Sequence, residues 1–330
     1  MKAMKFTFPR STAETRVRFF DSVEDIPLNG DMMITDARVS ELHRKELPGG
    51  VHRLDIPGGE GCKTPEILCA IWEEMARAGL RRDSTVAVTG GDPLRRGAFA
   101  ASTWKRGLNL VLVPTTLLCM VDAALGGKTA VNAGREKNQA GTIYPASEIL
   151  VCPGFLDTLP ETEVLSGVAE ALKTAVIGDR SIVDHLQERN WMEVVRGCMT
   201  VKGAIAGGDL EETGQRRLLN LGHTVGHCLE GASGFAIPHG IAVAMGIPVA
   251  ARMGGHQDFA REFIERAAGL GIDTAIPREI TPEAALAFLS ADKKSTERGR
   301  TWIIPRGWEN CVQVVFSPEE EKELLKRSWR

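Results

Sequence analysis

The chain is expected to fold as two domains: an α/β, Rossmann-like nucleotide-binding domain over residues 1–153 and a mainly α-helical, metal-binding domain over 154–330. Three observations predict this. A length of 330 residues exceeds what one hydrophobic core usually serves. The first half alternates short apolar runs with helical periods, and after Leu159-Pro160 the periods become almost wholly helical.

In the first half the runs Met32-Met-Ile-Thr35, Thr85-Val-Ala-Val-Thr89, Leu110-Val-Leu-Val113 and Glu148-Ile-Leu-Val-Cys152 read as strands. Between the first two, residues 65–79 place Ile67, Leu68, Ile71, Trp72 and Met75 at helical spacing, with Gly79 as a stop signal. Strands alternating with helices imply a parallel sheet with crossovers. The strand ending at Thr89 runs into Gly90-Gly91-Asp92-Pro93 and a helical stretch through 99–104. Glycine there lets the backbone approach a pyrophosphate, and the helix N-terminus offers free N–H groups to it. The full Gly-x-Gly-x-x-Gly pattern is absent, so an ordinary tight turn competes with this reading.

In the second half, helices are expected over 161–177, 182–188, 192–206, 215–230, 240–253 and 259–270, with strand patterns only near 301–304 and 312–316. The boundary is placed near residue 153.

Composition narrows the function. Hydrophobic content of 43% with 25% charged residues is that of a soluble globular protein. A formal charge of −3 without a long Lys/Arg block argues against a nucleic-acid partner, so an anionic ligand must be met by a local pocket. No stretch reaches the roughly 20 apolar residues of a membrane span, and the first residues lack a signal-peptide core, so no membrane partner is expected. Seven cysteines without a Cys-x-x-Cys pair suit a reducing cytoplasm.

The chemistry is concentrated in a few motifs. His223 and His227 lie four apart in Asn220-Leu-Gly-His-Thr-Val-Gly-His227, hence on one helix face, and His239 follows in Pro238-His239-Gly240. With a carboxylate from elsewhere, such a set holds a divalent metal such as zinc, whereas the alternative is polar packing between helices. Glu170 and Lys173 are three apart on a helix whose neighbouring residues are apolar or small, which would hold an acid and a base in poorly hydrated surroundings; an exposed ion pair is the alternative. Glu212, Arg216 and Asn220 fall at four-residue steps and share a face if their helix is continuous. Gly126-Gly127-Lys128-Thr129 superficially resembles the end of a nucleotide-triphosphatase loop, but Asp122 stands where its first glycine belongs. Lys128 and Lys137 with Asp122 and Asn138, in a glycine-containing loop, suit a substrate bearing phosphate and hydroxyl groups.

Taken in order, Gly90-Gly91, Arg106-Gly107, Val113-Pro-Thr-Thr-Leu-Leu118, Val121-Asp122, Gly126-Gly-Lys-Thr-Ala-Val-Asn132, Lys137-Asn138, Gly167-Val-Ala-Glu-Ala-Leu-Lys173, the histidine run, His239-Gly240 and Asp292-Lys-Lys294 resemble the 3-dehydroquinate synthase family. The resemblance implies a homodimeric lyase of the shikimate pathway, dependent on NAD and on zinc or cobalt. It would convert the sugar phosphate 3-deoxy-D-arabino-heptulosonate 7-phosphate to 3-dehydroquinate and phosphate. It further implies Glu170, His223 and His239 as metal ligands, with His227 beside them handling a proton near the substrate phosphate. Asp122 and Lys173 would meet substrate hydroxyls, and Lys202 and Arg216 the carboxylate. Lys128, Asn220, one of Lys293 and Lys294, and Arg106 of a neighbouring subunit would surround the phosphate; Lys137, Asn138 and Glu212 also match active-site positions. Asp36, Glu60 and Lys63 would take the adenosine end of NAD, and Gly90, Gly91, Thr115, Thr116, Thr158 and Leu159 the remainder.

Three positions depart from the family pattern. Thr89 stands for a glycine, Arg95 for an aspartate near the cofactor, and Ile241 for a glutamate two residues beyond the third histidine. NAD binding is still expected, and loss of that glutamate would weaken metal binding if it normally orients a ligand. The competing readings are a sister sugar phosphate cyclase of secondary metabolism, a polyol-phosphate dehydrogenase that accumulates NADH, and a non-catalytic homologue.

Overall fold

The computed structural model of the chain describes residues 3–7, 14–47, 50–133, 136–291 and 299–330. Lys293 and Lys294, and the side chains of Glu60 and Lys137, lie outside the described residues. Two compact units are present: residues 1–159 with 206–211, and 160–205 with 212–330. The first unit thus closes at Leu159, six residues beyond the expected 153, after a 3-10 segment, Pro153–Thr158, that continues from the last sheet strand.

The first unit contains β1 (Ala3–Thr7), β2 (Glu14–Phe19), β3 (Met32–Asp36), α1 (Ala37–Leu42), β4 (His52–Ile56), α2 (Pro65–Arg77), β5 (Thr85–Gly90), α3 (Pro93–Thr103), β6 (Asn109–Pro114), β7 (Lys128–Ala133), β8 (Glu136–Ile143) and β9 (Glu148–Val151). Seven strands form one sheet in the order β1-β2-β9-β6-β5-β3-β4. Every neighbouring pair is parallel except β1 with β2. Met32, Ile34, Val86, Val88, Leu110 and Ile149 are buried almost completely, each such side chain contributing about 1.5–3 kcal/mol. Helix α2 buries Leu68, Ile71 and Met75, three of the positions its periodicity marks.

The expected loop around Gly126-Gly127 is instead the lead-in to a hairpin, because β7 and β8 pair antiparallel from Lys128 opposite Ile143 onward. Thr129 and Ala130 are buried there, and Thr142 N donates to Thr129 Oγ1 at 3.1 Å.

The second unit contains α4 (Glu161–Gly178), α5 (Ile182–Gln187), α6 (Trp191–Gly207), α7 (His223–Ala232), α8 (His239–Met253), α9 (Gln257–Gly269), α10 (Pro282–Ala291), β10 (Arg300–Gly307), β11 (Asn310–Phe316) and α11 (Pro318–Ser328), the last residues of α6 clustering with the first unit. Helices α4 and α8 are buried nearly all round, as helices at the centre of a bundle must be. A core of Val225, Leu229, Ala242, Met245, Val249, Leu289, Trp302 and Trp329 joins α7, α8, α10, β10 and the chain end.

One expected helix is broken. Residues 215–230 are not continuous: Gln215–Asn220 is a 3-10 turn, and α7 starts afresh at His223. Gly222 makes the break, with φ of 76° and with Val243 O only 2.4 Å from where a Cβ would sit. Both the left-handed backbone and the approach to α8 demand glycine.

Candidate active site

In the second unit the break at Gly222 places His223 on the first turn of α7, with His227 one turn on. His239 opens α8 directly after Pro238. The three imidazoles converge, with ring centroids 5.4 Å apart for His223 and His227, 5.2 Å for His223 and His239, and 6.0 Å for His227 and His239. Helix α4 brings Glu170 to them because Gly240 packs on its backbone: a Cβ at 240 would lie 2.0 Å from Ser166 O. Gly240 N donates to Ser166 Oγ at 3.1 Å and pins the crossing.

Glu170 Oε1 stands 3.5 Å from His239 Nε2 and 3.9 Å from His223 Nε2. The carboxylate is 1% exposed, and Oε1 has no hydrogen-bond partner. An orphaned buried carboxylate oxygen is costly unless a cation meets it. Ligand bonds of about 2.0–2.2 Å at tetrahedral angles hold ligand atoms roughly 3.3–3.6 Å apart. Glu170, His223 and His239 therefore fit a divalent ion with little adjustment. Among the described residues they form one of two groups with ligand atoms within 4.8 Å of each other, the second being His227, Glu230 and His239.

Lys173 Nζ lies 2.5 Å from Glu170 Oε2 and donates to Leu219 O at 3.0 Å. With side chains 2% and 1% exposed, this pair is buried and is not the exposed one that the alternative required. Burial, then the positive charge of Lys173 and the neighbouring rings, pushes the His223 pKa well below 6.5. Burial also opposes a proton on His239, but its hydrogen bond to Glu230 and the carboxylates of Glu170 and Glu230 outweigh that and raise its pKa.

In the same unit Lys202, on α6, and Arg216 are buried. Arg216 sits in the 3-10 turn, and Glu212 stands outside any helix with φ of 62°. The helical face expected for Glu212, Arg216 and Asn220 is therefore absent. The chain bend nevertheless joins two of them, because Asn220 Nδ2 donates to Glu212 Oε1. No sequence period encodes that contact, and a glutamate at positive φ is uncommon. Glu230, whose carboxylate meets His239 Nδ1 at 3.2 Å, was missed by sequence reasoning. Its spacing of seven from His223 and three from His227 is the signal that could have found it.

In the first unit the five strands β4-β3-β5-β6-β9 repeat the doubly wound order in which chain direction reverses between the first and third strands of the series. That switch point lies between β3 and β5, where ligands of such sheets bind beyond the strand carboxyl ends. Asp36 ends β3 and Gly90 ends β5, and a Cβ on Gly90, whose φ is 141°, would lie 3.0 Å from Asp36 Cβ. Thr115 and Thr116 follow β6, with Thr116 Cγ2 2.8 Å from where a Cβ on Gly91 would sit. Glu60 and Lys63 follow β4, and Thr158 and Leu159 follow β9. Every expected cofactor residue thus lies at a strand carboxyl end or shortly beyond it. Arg96 of α3 clamps the segment after β4, donating to Pro57 O at 2.6 Å and Cys62 O at 2.7 Å. Lys63 pairs with Asp92 at 3.2 Å.

Also in this unit, Asp122 is half-buried in the π-helical turn Cys119–Ala123, Lys128 is exposed at the start of β7, and Asn138 N donates to Asn132 Oδ1 at 2.9 Å across the hairpin. The Lys137 backbone lies in β8. Arg106 is exposed in a left-handed turn with φ of 70°, just before Gly107.

The comparisons agree with this architecture. Residues 53–166 match the family profile described as 3-dehydroquinate synthase N-terminal, and residues 167–295 match its C-terminal counterpart. The 3-dehydroquinate synthase of Pyrococcus abyssi is 38% identical over 269 residues, covering 78% of this chain and 80% of its own. The 2-epi-5-epi-valiolone synthase of Streptomyces hygroscopicus subsp. jinggangensis, solved with NAD+ and Zn2+ bound, has a TM-score of 0.84 at 25% identity, covering 94% of this chain and 96% of its own. A 2-deoxy-scyllo-inosose synthase complexed with carbaglucose-6-phosphate, NAD+ and Co2+ shares the fold with a TM-score of 0.83 at 23% identity, covering 99% of both chains. The chain belongs to the 3-dehydroquinate synthase family.

Proposed function

We propose that this chain converts 3-deoxy-D-arabino-heptulosonate 7-phosphate to 3-dehydroquinate and phosphate, with NAD and zinc or cobalt as cofactors. The observation that carries the reading is the buried, orphaned Glu170 Oε1 facing His223 and His239, in a chain whose two halves match the two family profiles. Glu170, His223 and His239 would hold the metal. Asp36, Glu60, Lys63, Gly90, Gly91, Thr115, Thr116, Thr158 and Leu159 would hold NAD. When bound, the ion supplies Lewis acidity toward vicinal hydroxyls, and NAD a reversible hydride acceptor.

The chain's own residues do the binding and the proton handling. Buried Lys202 and Arg216 suit the substrate carboxylate, since a cation in poorly hydrated surroundings attracts an anion strongly and a guanidinium matches paired oxygens. Lys173, held by Glu170 and Leu219 O, would meet a substrate hydroxyl, as would Asp122. Lys128, Asn138, Asn220 oriented by Glu212, and either Lys293 or Lys294 suit the phosphate, with Lys137 at the same hairpin. His227, the exposed member of the imidazole set, is placed to pass a proton. With NAD held at the strand ends and the ion at Glu170, His223 and His239, the two groups would supply a reversible oxidation at a substrate hydroxyl that eases departure of phosphate, with no net redox change over the cycle.

Arg106 would reach the phosphate site of a second copy in a homodimer. A cytoplasmic setting accords with seven cysteines among which no disulfide forms in the described residues. Among the described residues no helix is long and apolar enough to cross a membrane.

The test is purified protein with NAD, zinc or cobalt, and the heptulosonate phosphate, following phosphate release and NADH together. Phosphate release at catalytic NAD without lasting NADH is expected. Accumulating NADH, or silence on this substrate, would overturn the assignment.

A further inference from the structure

We propose that Glu230 is a positioning residue for His239, accepting a hydrogen bond from its Nδ1–H so that the Nε2 lone pair is turned toward Glu170 and His223. The inference rests on reading Glu170, His223 and His239 as a cation site, and it names what aims one of the three ligands.

Three observations carry it. His239 Nδ1 lies 3.2 Å from Glu230 Oε2, while Nε2 lies 3.5 Å from Glu170 Oε1. An ionised carboxylate only accepts hydrogen bonds, so the nitrogen facing Glu230 carries the proton and the other nitrogen of a neutral ring keeps its lone pair. Glu230 is 8% exposed, and a carboxylate so buried needs a donor, which the imidazole N–H supplies.

The third observation concerns position 241, two residues beyond His239 on α8. Ile241 packs against the apolar cluster of Val225, Leu229, Ala242 and Met245, although it is only two residues from His239 on α8. The orienting carboxylate therefore comes from α7. There His223, His227 and Glu230 fall at i, i+4 and i+7 on one face. One helix supplies both a ligand and the group that aims a ligand of its neighbour, and Ile241, turned to the apolar cluster, takes no part in orienting His239.

The test compares zinc and cobalt affinity, by competition with a chelating indicator, for wild type, Glu230→Gln and Glu170→Gln. Isotope-edited NMR of the histidine rings in metal-free wild type, at a pH that keeps them neutral, reads the tautomer directly. Zinc should bind Glu230→Gln about 10- to 100-fold more weakly than wild type, and the wild-type His239 proton should sit on Nδ1. Affinity of Glu230→Gln within about twofold of wild type, against that expected loss, or a proton on Nε2 of wild-type His239, would overturn the Glu230 assignment. The ring measurement needs no variant, so it decides even if Glu230→Gln fails to fold. Wild type that binds neither ion, or Glu170→Gln that binds as wild type does, would instead defeat the metal reading, which separates the two failures.

Discussion

The helical unit and the sheet unit prepare for ligands in opposite ways. In the helical unit the chemistry is made of side chains: a carboxylate from α4 and imidazoles from α7 and α8 converge because glycines let the helix backbones touch. In the sheet unit the cradle is largely backbone and small side chains, laid out at successive strand ends, and Asp36 approaches Gly90, and Thr116 approaches Gly91, because no side chain intervenes. A side-chain cluster is sensitive to which residue occupies a position. A backbone cradle is sensitive to any added volume and to whatever holds its loops. The two sites should therefore fail separately.

Replacing Glu170 tests this most severely. Glu170→Gln should lose bound zinc and turnover together while NAD binding survives, as metal analysis and calorimetry would show. Retained turnover would break the proposed ligand set. Next in size, Arg96→Met removes the donors to Pro57 O and Cys62 O, and each hydrogen bond lost from a charged donor costs about 1.5–3 kcal/mol. Melting temperature and NAD affinity should fall and zinc content should not; a parallel loss of zinc would show that the two sites are not independent.

Gly91→Ala would place a methyl 2.8 Å from Thr116 Cγ2. Overpacking of about 1–3 kcal/mol, if borne by the bound state, corresponds to roughly 5- to 150-fold in NAD affinity, readable by titration calorimetry. Acidity acts on the other site alone. Because the folded pKa of His239 is raised above 6.5, a metal ion must displace its proton near neutrality. Zinc affinity should rise by up to about tenfold per pH unit until the pH passes that raised value, then level. His223, pushed well below 6.5, is already neutral there and adds no slope. In the metal-free protein the signs oppose. The His239 proton stabilises the fold fully below 6.5 and that stabilisation is lost as pH rises through its folded value, whereas the His223 contribution is present above 6.5 and lost as pH falls toward its depressed value. The smallest effect belongs to Ile241→Leu, a near volume-conserving change in the apolar cluster that should cost under about 1.5 kcal/mol in a melt and leave zinc affinity unchanged.

Much of this was legible residue by residue. The strand runs at Met32, Thr85, Leu110 and Glu148 became sheet strands because buried parallel strands are nearly uniform in apolarity. The periods of α2, α4, α6, α8 and α9 were equally clear. The hairpin of β7 and β8 was hidden because its residues are small and polar, and its pairing is decided across the sequence by Thr129 and Thr142. The strands β1 and β4 and the helices α10 and α11 were likewise unmarked, being short or weakly patterned. The 215–230 segment read as one helix because apolar spacing persists through Gly222; only the approach of Val243 O explains why the backbone turns left-handed there.

By itself the sequence determined which chemical groups are present and, through periods of two and 3.6 residues, most of the elements carrying them. Tertiary structure decided which nitrogen of His239 faces which carboxylate, that Glu212 reaches Asn220 from outside a helix, and that Ile241 packs against the core. Those outcomes depend on distances between elements far apart in the chain, and local periodicity carries no information about such distances.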